Sequence, residues 1–306
     1  MGLMNQLGQS DIAVHPVALG TAGFGWNISG TQATAQLNRF AELGGNLIDT
    51  ADSYSAGRAE QVIGTWMRTA GTRDRMVIAT KVGKNLDAAG LSARSIVAAV
   101  DASLERLQTD RIDVLYFHAE DDEVSLEESL SAAAELIRQG KVRVLGASNF
   151  SPASLTQARI LASQGLPRFE VATANYSLLN RKAVEGELSL VCAAQEVSIA
   201  PYFALANGYL GHLRDRRVRA GDSTHLRAAH SHDNRHGHRV LQALDDVAIS
   251  HGVDISTVAL AWLLDRPQVA ATAVGCDSIS DLEALMHAPT LHLTSAQIAA
   301  LTKASN

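Results

Sequence analysis

The stretch "IDVLYFHAEDDEVSLEESLSAAAELIRQGKVRVLGASNF", residues 112–150, contains one complete strand–helix–strand pattern. It begins with a short apolar run and reaches Ser125, which together with Glu128 has the spacing of a helix-capping box. An amphipathic segment follows, and a second apolar run ends at Ser148. Two apolar runs joined by a helix are typical of neighbouring parallel strands. The stretch therefore predicts a βαβ unit.

The same pattern recurs along the whole chain. The apolar runs that begin it are PVALG, GNLIDT, MVIATK, IDVLYFH, VRVLGAS, EVATAN, VSIAPY and VAATAVG. Most of them start about 30 residues apart, the length of a βα unit. They predict an α/β protein with a (β/α)8 TIM barrel, and an open doubly wound sheet is the alternative. The preceding segment "LGQSDIAVH" is expected to form a short N-terminal hairpin at the barrel bottom.

Length and composition agree with this fold class. The chain has 306 residues, and no linker rich in Pro, Gly or Ser divides it, so residues 1–306 are expected to form a single domain. Hydrophobic residues make up 46% and supply a core, while the absence of a long apolar run predicts no membrane span. We expect a monomer or a weak homo-oligomer.

Charge and cysteine content exclude several classes of partner. The net charge of −6 gives no overall positive field, so neither nucleic acid nor an anionic membrane is an expected partner. The two cysteines, Cys192 and Cys276, lie far apart, and the first residues lack a signal-peptide pattern. These features predict a cytoplasmic protein.

Polar residues follow the predicted strands at their C-terminal ends, where a barrel of this kind gathers its chemistry. They are Asp49, Lys81, His118, Ser148, Asn149 and Tyr202, with Tyr54 on the loop just beyond one strand. Taken singly, each has an ordinary interpretation, such as a turn cap, a surface lysine or a packed imidazole. Taken together, an acid, a base, an imidazole and a phenol at one rim favour a catalytic site.

The chemistry that uses this set is proton donation by Tyr54. A free phenol has a pKa of about 10, so a neighbouring ammonium is expected to favour the phenolate and ease proton release. Lys81 can supply that charge, and Asp49 would keep Lys81 protonated. His118 can bind the same substrate oxygen and orient a carbonyl group.

These residues resemble those of the aldo-keto reductase family. The family signature reads here as Asp49, Thr50, Ala51 and Tyr54 followed by "EQVIG", and its lysine, histidine and Ser-Asn pair match "ATKVG", "LYFH" and "GASNFSP". The resemblance runs almost end to end. It implies a catalytic tetrad of Asp49, Tyr54, Lys81 and His118, a nicotinamide cofactor bound without a Rossmann domain, and reduction of small aldehydes or ketones.

The resemblance also implies a set of cofactor-binding residues. They are Gly20, Thr21, Ser148, Asn149, Thr173, Tyr202, Leu205, Gly208, Gly275, Asp277 and Asp281. Ser148 and Asn149 match the pair that binds the nicotinamide carboxamide, and Tyr202 matches the aromatic that stacks on the ring. A strand-end turn is the alternative for Gly20 and Thr21.

Several positions depart from the family. Thr173 stands where a glutamine is usual, and Phe203 and Asn207 replace the usual serine and arginine of a loop over the pyrophosphate.

Two cofactors, NADP(H) and NAD(H), are candidates. Resemblance implies NADP(H), but Asp277 and Asp281 in "AVGCDSISDLEAL" replace basic or neutral residues of relatives and would repel a 2′-phosphate. The same carboxylates could accept hydrogen bonds from the ribose of NAD(H). Arginines in the segment "RDRRVRAG", namely Arg214, Arg216 and Arg217, could offset this repulsion. We therefore expect use of both cofactors.

Three further motifs are weighed. Phe24 and Trp26 on the first rim loop either line an apolar substrate pocket or pack against the barrel. "GTAGFG" does not match a dinucleotide-binding loop. The histidines between His212 and His238 lack a recognised ligand spacing, so we predict no metal site and interpret this segment as a lid over the cofactor.

Two other functions remain as alternatives. One is a cofactor-binding regulatory subunit with little turnover, resembling the beta subunits of potassium channels, which share this fold and tetrad. The other is a barrel isomerase or aldolase that uses Lys81 as a Schiff base, although it leaves Tyr54 and Asn149 without roles.

Overall fold

The computed structural model describes residues 3–211 and 224–306. Its strands are β1 (Asn5–Gln6), β2 (Ala13–Val14), β3 (Val17–Gly20), β4 (Leu47–Asp49), β5 (Val77–Val82), β6 (Ile112–Phe117), β7 (Val142–Ser148), β8 (Phe169–Thr173), β9 (Ser198–Ile199) and β10 (Thr272–Val274). The last eight form one parallel sheet in the order β10-β3-β4-β5-β6-β7-β8-β9. The Ile199 N–H donates to the Gln268 carbonyl, 2.6 Å away, and joins the two edges. The predicted (β/α)8 barrel is confirmed, and the open sheet is excluded.

Helices surround this sheet. Those of the described residues are α1 (Gly30–Glu42), α2 (Arg58–Ala70), α3 (Ala93–Leu107), α4 (Leu126–Arg138), α5 (Pro152–Ser163), α6 (Glu187–Gln195), α7 (Thr224–His230), α8 (Arg235–His251), α9 (Ile255–Leu264), α10 (Ile279–Met286) and α11 (Ser295–Ala304). Taken individually, no described helix is long and apolar enough to cross a membrane. The bent pair α8 and α9 meets that criterion only jointly.

The predicted helix start at Ser125 is confirmed, but the capping box is only half formed. The Ser125 side chain accepts from the Glu128 N–H. The Glu128 carboxylate does not reach back to Ser125; it accepts from the Ala93 N–H at the start of α3, 2.9 Å away. This part of the prediction was wrong because a neighbouring helix offers the carboxylate an unpaired N–H group.

The barrel interior is filled from the bottom by the N-terminal hairpin. Strands β1 and β2 pair antiparallel, which confirms the predicted hairpin. Leu7, Ile12 and Val14 of this segment are buried and pack with inward-facing strand residues such as Val114 and Val171. The hairpin therefore closes the end of the barrel opposite to the C-terminal rim.

Candidate active site

Strand alternation decides which polar side chains face the barrel mouth. Each barrel strand has one residue that stands two positions before a predicted site residue. These residues are Ala18, Leu47, Ala79, Tyr116, Gly146, Val171, Ala200 and Ala273. Nearly all of these are members of the interior cluster or pack against it. Because side chains two residues apart face the same side of a strand, the inward-facing positions of each strand continue up to the rim. The last of these positions are Gly20, Asp49, Lys81, His118, Ser148, Thr173, Tyr202 and Gly275.

Asp49 and Lys81 form a buried ion pair at this rim. The Lys81 ammonium donates to both Asp49 carboxylate oxygens, at 2.8 and 2.7 Å, and to the Thr50 carbonyl at 2.9 Å. Burial acts to lower the pKa of Lys81, but Asp49 and Tyr54 outweigh burial, and the pKa is raised. Lys81 is therefore held as a cation, which disfavours its use as a Schiff-base nucleophile.

Tyr54 begins the short 3₁₀ turn Tyr54–Gly57 beyond β4. The Lys81 ammonium lies 5.2 Å from the centre of its ring. Burial raises the pKa of Tyr54, Lys81 lowers it, and Asp49 raises it again, so that the pKa is above the value of a free phenol. Lys81 thus acts in the expected direction, and burial, which the sequence alone did not reveal, outweighs the effect of the ammonium. Tyr54 is a neutral phenol at neutral pH and retains the proton that a general acid needs.

His118 lies beside Tyr54, with ring centres 6.3 Å apart in an edge-to-face arrangement. Burial, Lys81 and Lys84 lower the pKa of His118 to about 3. Its Nδ1 atom is buried and has no hydrogen-bond partner among the described residues. The imidazole is therefore neutral at neutral pH and can offer one N–H group without adding a positive charge.

Tyr116 is a site residue that the sequence reasoning did not identify. It is buried, and the Lys81 ammonium lies 5.6 Å from its ring centre, close to the 5.2 Å that separates this ammonium from the Tyr54 ring. A Cβ atom added at Gly146 would lie 2.4 Å from the Tyr116 ring, so glycine at this position makes room for it. The sequence feature that could have identified Tyr116 is its position two residues before His118, because side chains two residues apart along a strand face the same side.

Ser148, Asn149 and Tyr202 are joined by hydrogen bonds. The Tyr202 hydroxyl donates to the Asn149 side-chain oxygen, 2.6 Å away, and the Asn149 amide donates to the Ser148 hydroxyl, 3.0 Å away. Burial and the proximity of Tyr54 raise the pKa of Tyr202. Thr173 is buried at the end of the neighbouring strand, and its carbonyl accepts from the Asn149 N–H. A hydroxyl, an amide and an aromatic plane beside Tyr54 fit the carboxamide and ring of a nicotinamide.

The structure places Gly20 and Thr21 differently from each other. A Cβ atom at Gly20 would lie 3.2 Å from the Val274 carbonyl oxygen, so this position needs a small residue beside Gly275. Thr21 is fully buried, and both its N–H and its hydroxyl donate to the Asp49 carbonyl at 3.0 Å. The Thr21 side chain therefore fixes the strand that carries Asp49, in agreement with the alternative interpretation as a strand-end turn.

The loop after β9 has an unusual backbone. Phe203, Ala206, Asn207 and Gly208 all have positive φ angles. Leu205 is half-buried, and its carbonyl accepts from the Gly208 N–H at 2.9 Å. Positive φ is costly for non-glycine residues and is found preferentially at functional sites.

Asp277 and Asp281 lie where β10 ends and α10 begins. Burial, Asp281 and Asp277 together raise the pKa of Cys276 to about 12, so both carboxylates are near that thiol. One Asp281 carboxylate oxygen also accepts from the Ser278 N–H, 3.1 Å away, and completes a capping box. The predicted arginines Arg214, Arg216 and Arg217 lie outside the described residues.

The two aromatic residues of the first rim loop have different surroundings. Phe24 is fully buried in the main core, whereas the Trp26 side chain is 79% exposed. The placement of Phe24 agrees with packing against the barrel rather than with a pocket wall. Trp26 remains available to a ligand at the rim.

The histidine-rich segment is partly described. His212 and the side chain of His225 lie outside the described part. His238 pairs with Asp233, their atoms 2.5 Å apart. One ring nitrogen of His230 and one of His236 are buried and have no hydrogen-bond partner among the described residues. Within residues 3–211 and 224–306, no group of three or more His, Cys, Asp or Glu side chains is arranged to hold a metal ion.

Comparison with known proteins identifies the family of this chain. The sequence profile of the aldo/keto reductase family matches residues 16–306. This chain belongs to the aldo/keto reductase family. The four residues of the predicted tetrad lie within the matched region.

Individual members of the family are similar over most of their length. Norsolorinic acid reductase B from Aspergillus parasiticus is 31% identical over 318 residues, covering 96% of this chain and 82% of the relative. An aryl-alcohol dehydrogenase from Pestalotiopsis microspora is 30% identical and covers 96% of this chain and 79% of the relative. A putative aryl-alcohol dehydrogenase from Saccharomyces cerevisiae is 30% identical, with 94% and 82% covered. Membership in this family makes the protein an oxidoreductase.

Proposed function

We propose that this protein interconverts aldehydes or ketones and alcohols, with NAD(P)H as the hydride source and Tyr54 as the proton donor. The observation that supports this best is the meeting of the Asp49–Lys81 pair, Tyr54 and His118 next to the Asn149–Tyr202 surface. The 1–306 chain would act as one domain, in the cytoplasm, on a small-molecule substrate.

The side chains divide the work between binding and proton transfer. The Ser148 hydroxyl and Asn149 amide would hold the carboxamide, and the Tyr202 ring would lie against the nicotinamide. Bound there, the reduced cofactor supplies the hydride. His118, neutral at pH 7, would donate its N–H to the carbonyl oxygen and orient it. Tyr54 would give that oxygen its proton, and Lys81 would stabilise the phenolate that results, because the ammonium is fixed by Asp49.

The rim loops offer apolar side chains that a substrate could contact. Three large side chains on three different rim loops are exposed: Trp26 by 79%, Leu86 by 95% and Phe203 by 45%. Exposed apolar side chains around a polar site mark a ligand-binding surface. Because the names of two relatives specify aryl alcohols, we propose an aromatic carbonyl or alcohol as the substrate.

The cofactor preference is proposed to be weak. Asp277 and Asp281 place negative charge at the end of β10, where a 2′-phosphate would be repelled. We expect both NADPH and NADH to support turnover.

The test is a panel of aromatic aldehydes and size-matched aliphatic carbonyls, assayed with each reduced cofactor by loss of absorbance at the nicotinamide band. The Tyr54→Phe variant should lose kcat by about 10²- to 10⁴-fold and keep its Kd for cofactor. Tyr176→Phe is the matched control, since its hydroxyl bonds to Glu185, away from the tetrad.

Two outcomes would contradict the proposal. Full activity of Tyr54→Phe would exclude Tyr54 as the acid. Tight cofactor binding without turnover of any carbonyl would instead favour a regulatory subunit.

A further inference from the structure

The turn that follows Tyr54 is held in a costly conformation. Ser55 (φ 52°, ψ 34°), Ala56 (φ 55°, ψ 45°) and Gly57 (φ 84°, ψ −6°) are three successive left-handed residues. The left-handed conformation is sterically unfavourable for residues other than glycine. Its persistence requires neighbours that fix the backbone.

One neighbour is Arg106 of α3. A Cβ atom added at Gly57 would lie 2.7 Å from Cδ and 2.8 Å from Nε of Arg106, so the arginine packs directly on the turn. Its Nε donates to the Glu60 carboxylate at 2.7 Å. Arg106 thereby connects the turn to a residue of the first turn of α2.

Glu60 extends the connection to the strand that carries Lys81. It is fully buried, and its second carboxylate oxygen accepts from the Thr80 hydroxyl at 2.6 Å. Thr80 directly precedes Lys81 in β5. A continuous set of contacts therefore joins the backbone after Tyr54 to the backbone at Lys81.

The other side of the turn is fixed separately. The Ser55 hydroxyl donates to the Phe24 carbonyl, 2.7 Å away, and Phe24 is fully buried. The position of the turn is thus defined from two directions.

A buried ion pair adds little net stability, because the desolvation of both charges offsets their attraction. The Arg106–Glu60 pair has side chains only 20% and 0% exposed, respectively. Its larger effect is therefore on geometry, since it fixes the separation of the two backbone segments it touches.

We propose that Arg106 and Glu60 are positioning residues that set the location of the Tyr54 hydroxyl relative to Lys81. The proposal rests on the proposed role of Tyr54 as proton donor. Both residues would act through the left-handed turn and Thr80, which they contact.

The variants Arg106→Met and Glu60→Gln test this inference in the full chain with NADPH and an aromatic aldehyde. We expect kcat to fall about 10- to 100-fold, as for a misplacement of about 1 Å, with KM and cofactor Kd within about twofold. The solvent deuterium isotope effect on kcat should rise, because proton donation becomes slower. Arg106→Lys, which keeps the charge, should restore part of kcat.

Arg73→Met is the matched control. Arg73 pairs with Asp113 at 2.9 Å near the barrel bottom, and these side chains are 16% and 2% exposed. This variant should lose stability but keep its kcat per folded molecule and its isotope effect.

Equal effects of Arg106→Met and Arg73→Met on kcat, with unchanged isotope effects, would overturn the inference. If Arg106→Met fails to fold, the inference would be overturned by a wild-type kcat in both Glu60→Gln and Arg106→Lys. The Tyr54→Phe variant separates the two proposals. Full activity of Tyr54→Phe would contradict the proposed function. Loss of activity in Tyr54→Phe together with wild-type kcat in the Arg106 variants would contradict only the inference.

Discussion

At the scale of single residues, Asp52 is a buried carboxyl group two positions before Tyr54. Within the described part of the chain neither of its oxygens makes a hydrogen bond of ordinary geometry. Burial and Glu60 raise its pKa from 3.8 to about 7, while Arg106 and the N–H groups of Ser53 and Gly83 lower it by less. The unfolded chain therefore ionises first, and stability is lost as the pH rises from about 4 to about 7.

Asp52→Asn should remove that loss. The fall in free energy of unfolding between pH 5 and pH 8, measured by urea titration, should shrink by about 2–3 kcal/mol relative to wild type. Asp122→Asn, at an exposed acid, is the control and should leave the pH dependence unchanged. Identical slopes in wild type and Asp52→Asn would contradict the assignment.

Asp277 gives a second prediction at this scale. Replacing it with arginine turns a repulsion of the 2′-phosphate into an attraction, so the ratio of kcat/KM for NADPH over NADH should rise at least about tenfold. Asp110→Arg makes the same charge change at an exposed position before β6 and should leave the ratio unchanged. An unchanged ratio in Asp277→Arg would show that Asp277 does not face the ribose.

At the scale of elements, the left-handed turn makes a prediction about stability. Ala56 is exposed and has φ 55°, so Ala56→Gly should raise the free energy of unfolding by about 1 kcal/mol, because glycine adopts this conformation without strain. Thermal and urea unfolding would measure the gain. Ala134→Gly within α4 should have the opposite sign, a loss of about 1 kcal/mol. Losses in both variants would indicate that the turn is not strained.

The alternating pattern of the strands was predictable, whereas this turn was not. The sequence shows a serine and an alanine at positions 55 and 56, and neither residue type signals a left-handed conformation. The conformation depends on Phe24 and Arg106, which are distant in sequence and supply the contacts that hold it.

At the scale of the whole molecule, stability and chemistry are assigned to opposite ends of the barrel. Leu7 is 1% exposed in the hairpin that fills the bottom, so Leu7→Ala should lower the free energy of unfolding by about 2–5 kcal/mol. The kcat of the folded variant should be that of wild type, because the rim is unaffected. Leu3→Ala, at a side chain that is 52% exposed, should change stability by about 0.5 kcal/mol or less. A large loss of kcat in Leu7→Ala would show that the two ends are coupled.

The sequence by itself determined the barrel and most of the predicted site. Parallel strands place all their C-terminal ends on one rim, and the two-residue period of each strand selects its inward-facing side chains. Asp49, Lys81, His118 and Ser148 could thus be placed together without coordinates.

Only the tertiary structure decided the electrostatics and the supports of that site. The net upward shift of the Tyr54 pKa depends on burial, and burial results from the packing of distant segments. The Arg106–Glu60 pair joins residues 46 positions apart, and Tyr116 occupies space that Gly146 leaves on a neighbouring strand. Such contacts depend on how helices and strands lie against each other in three dimensions, and no local pattern of residues specifies them.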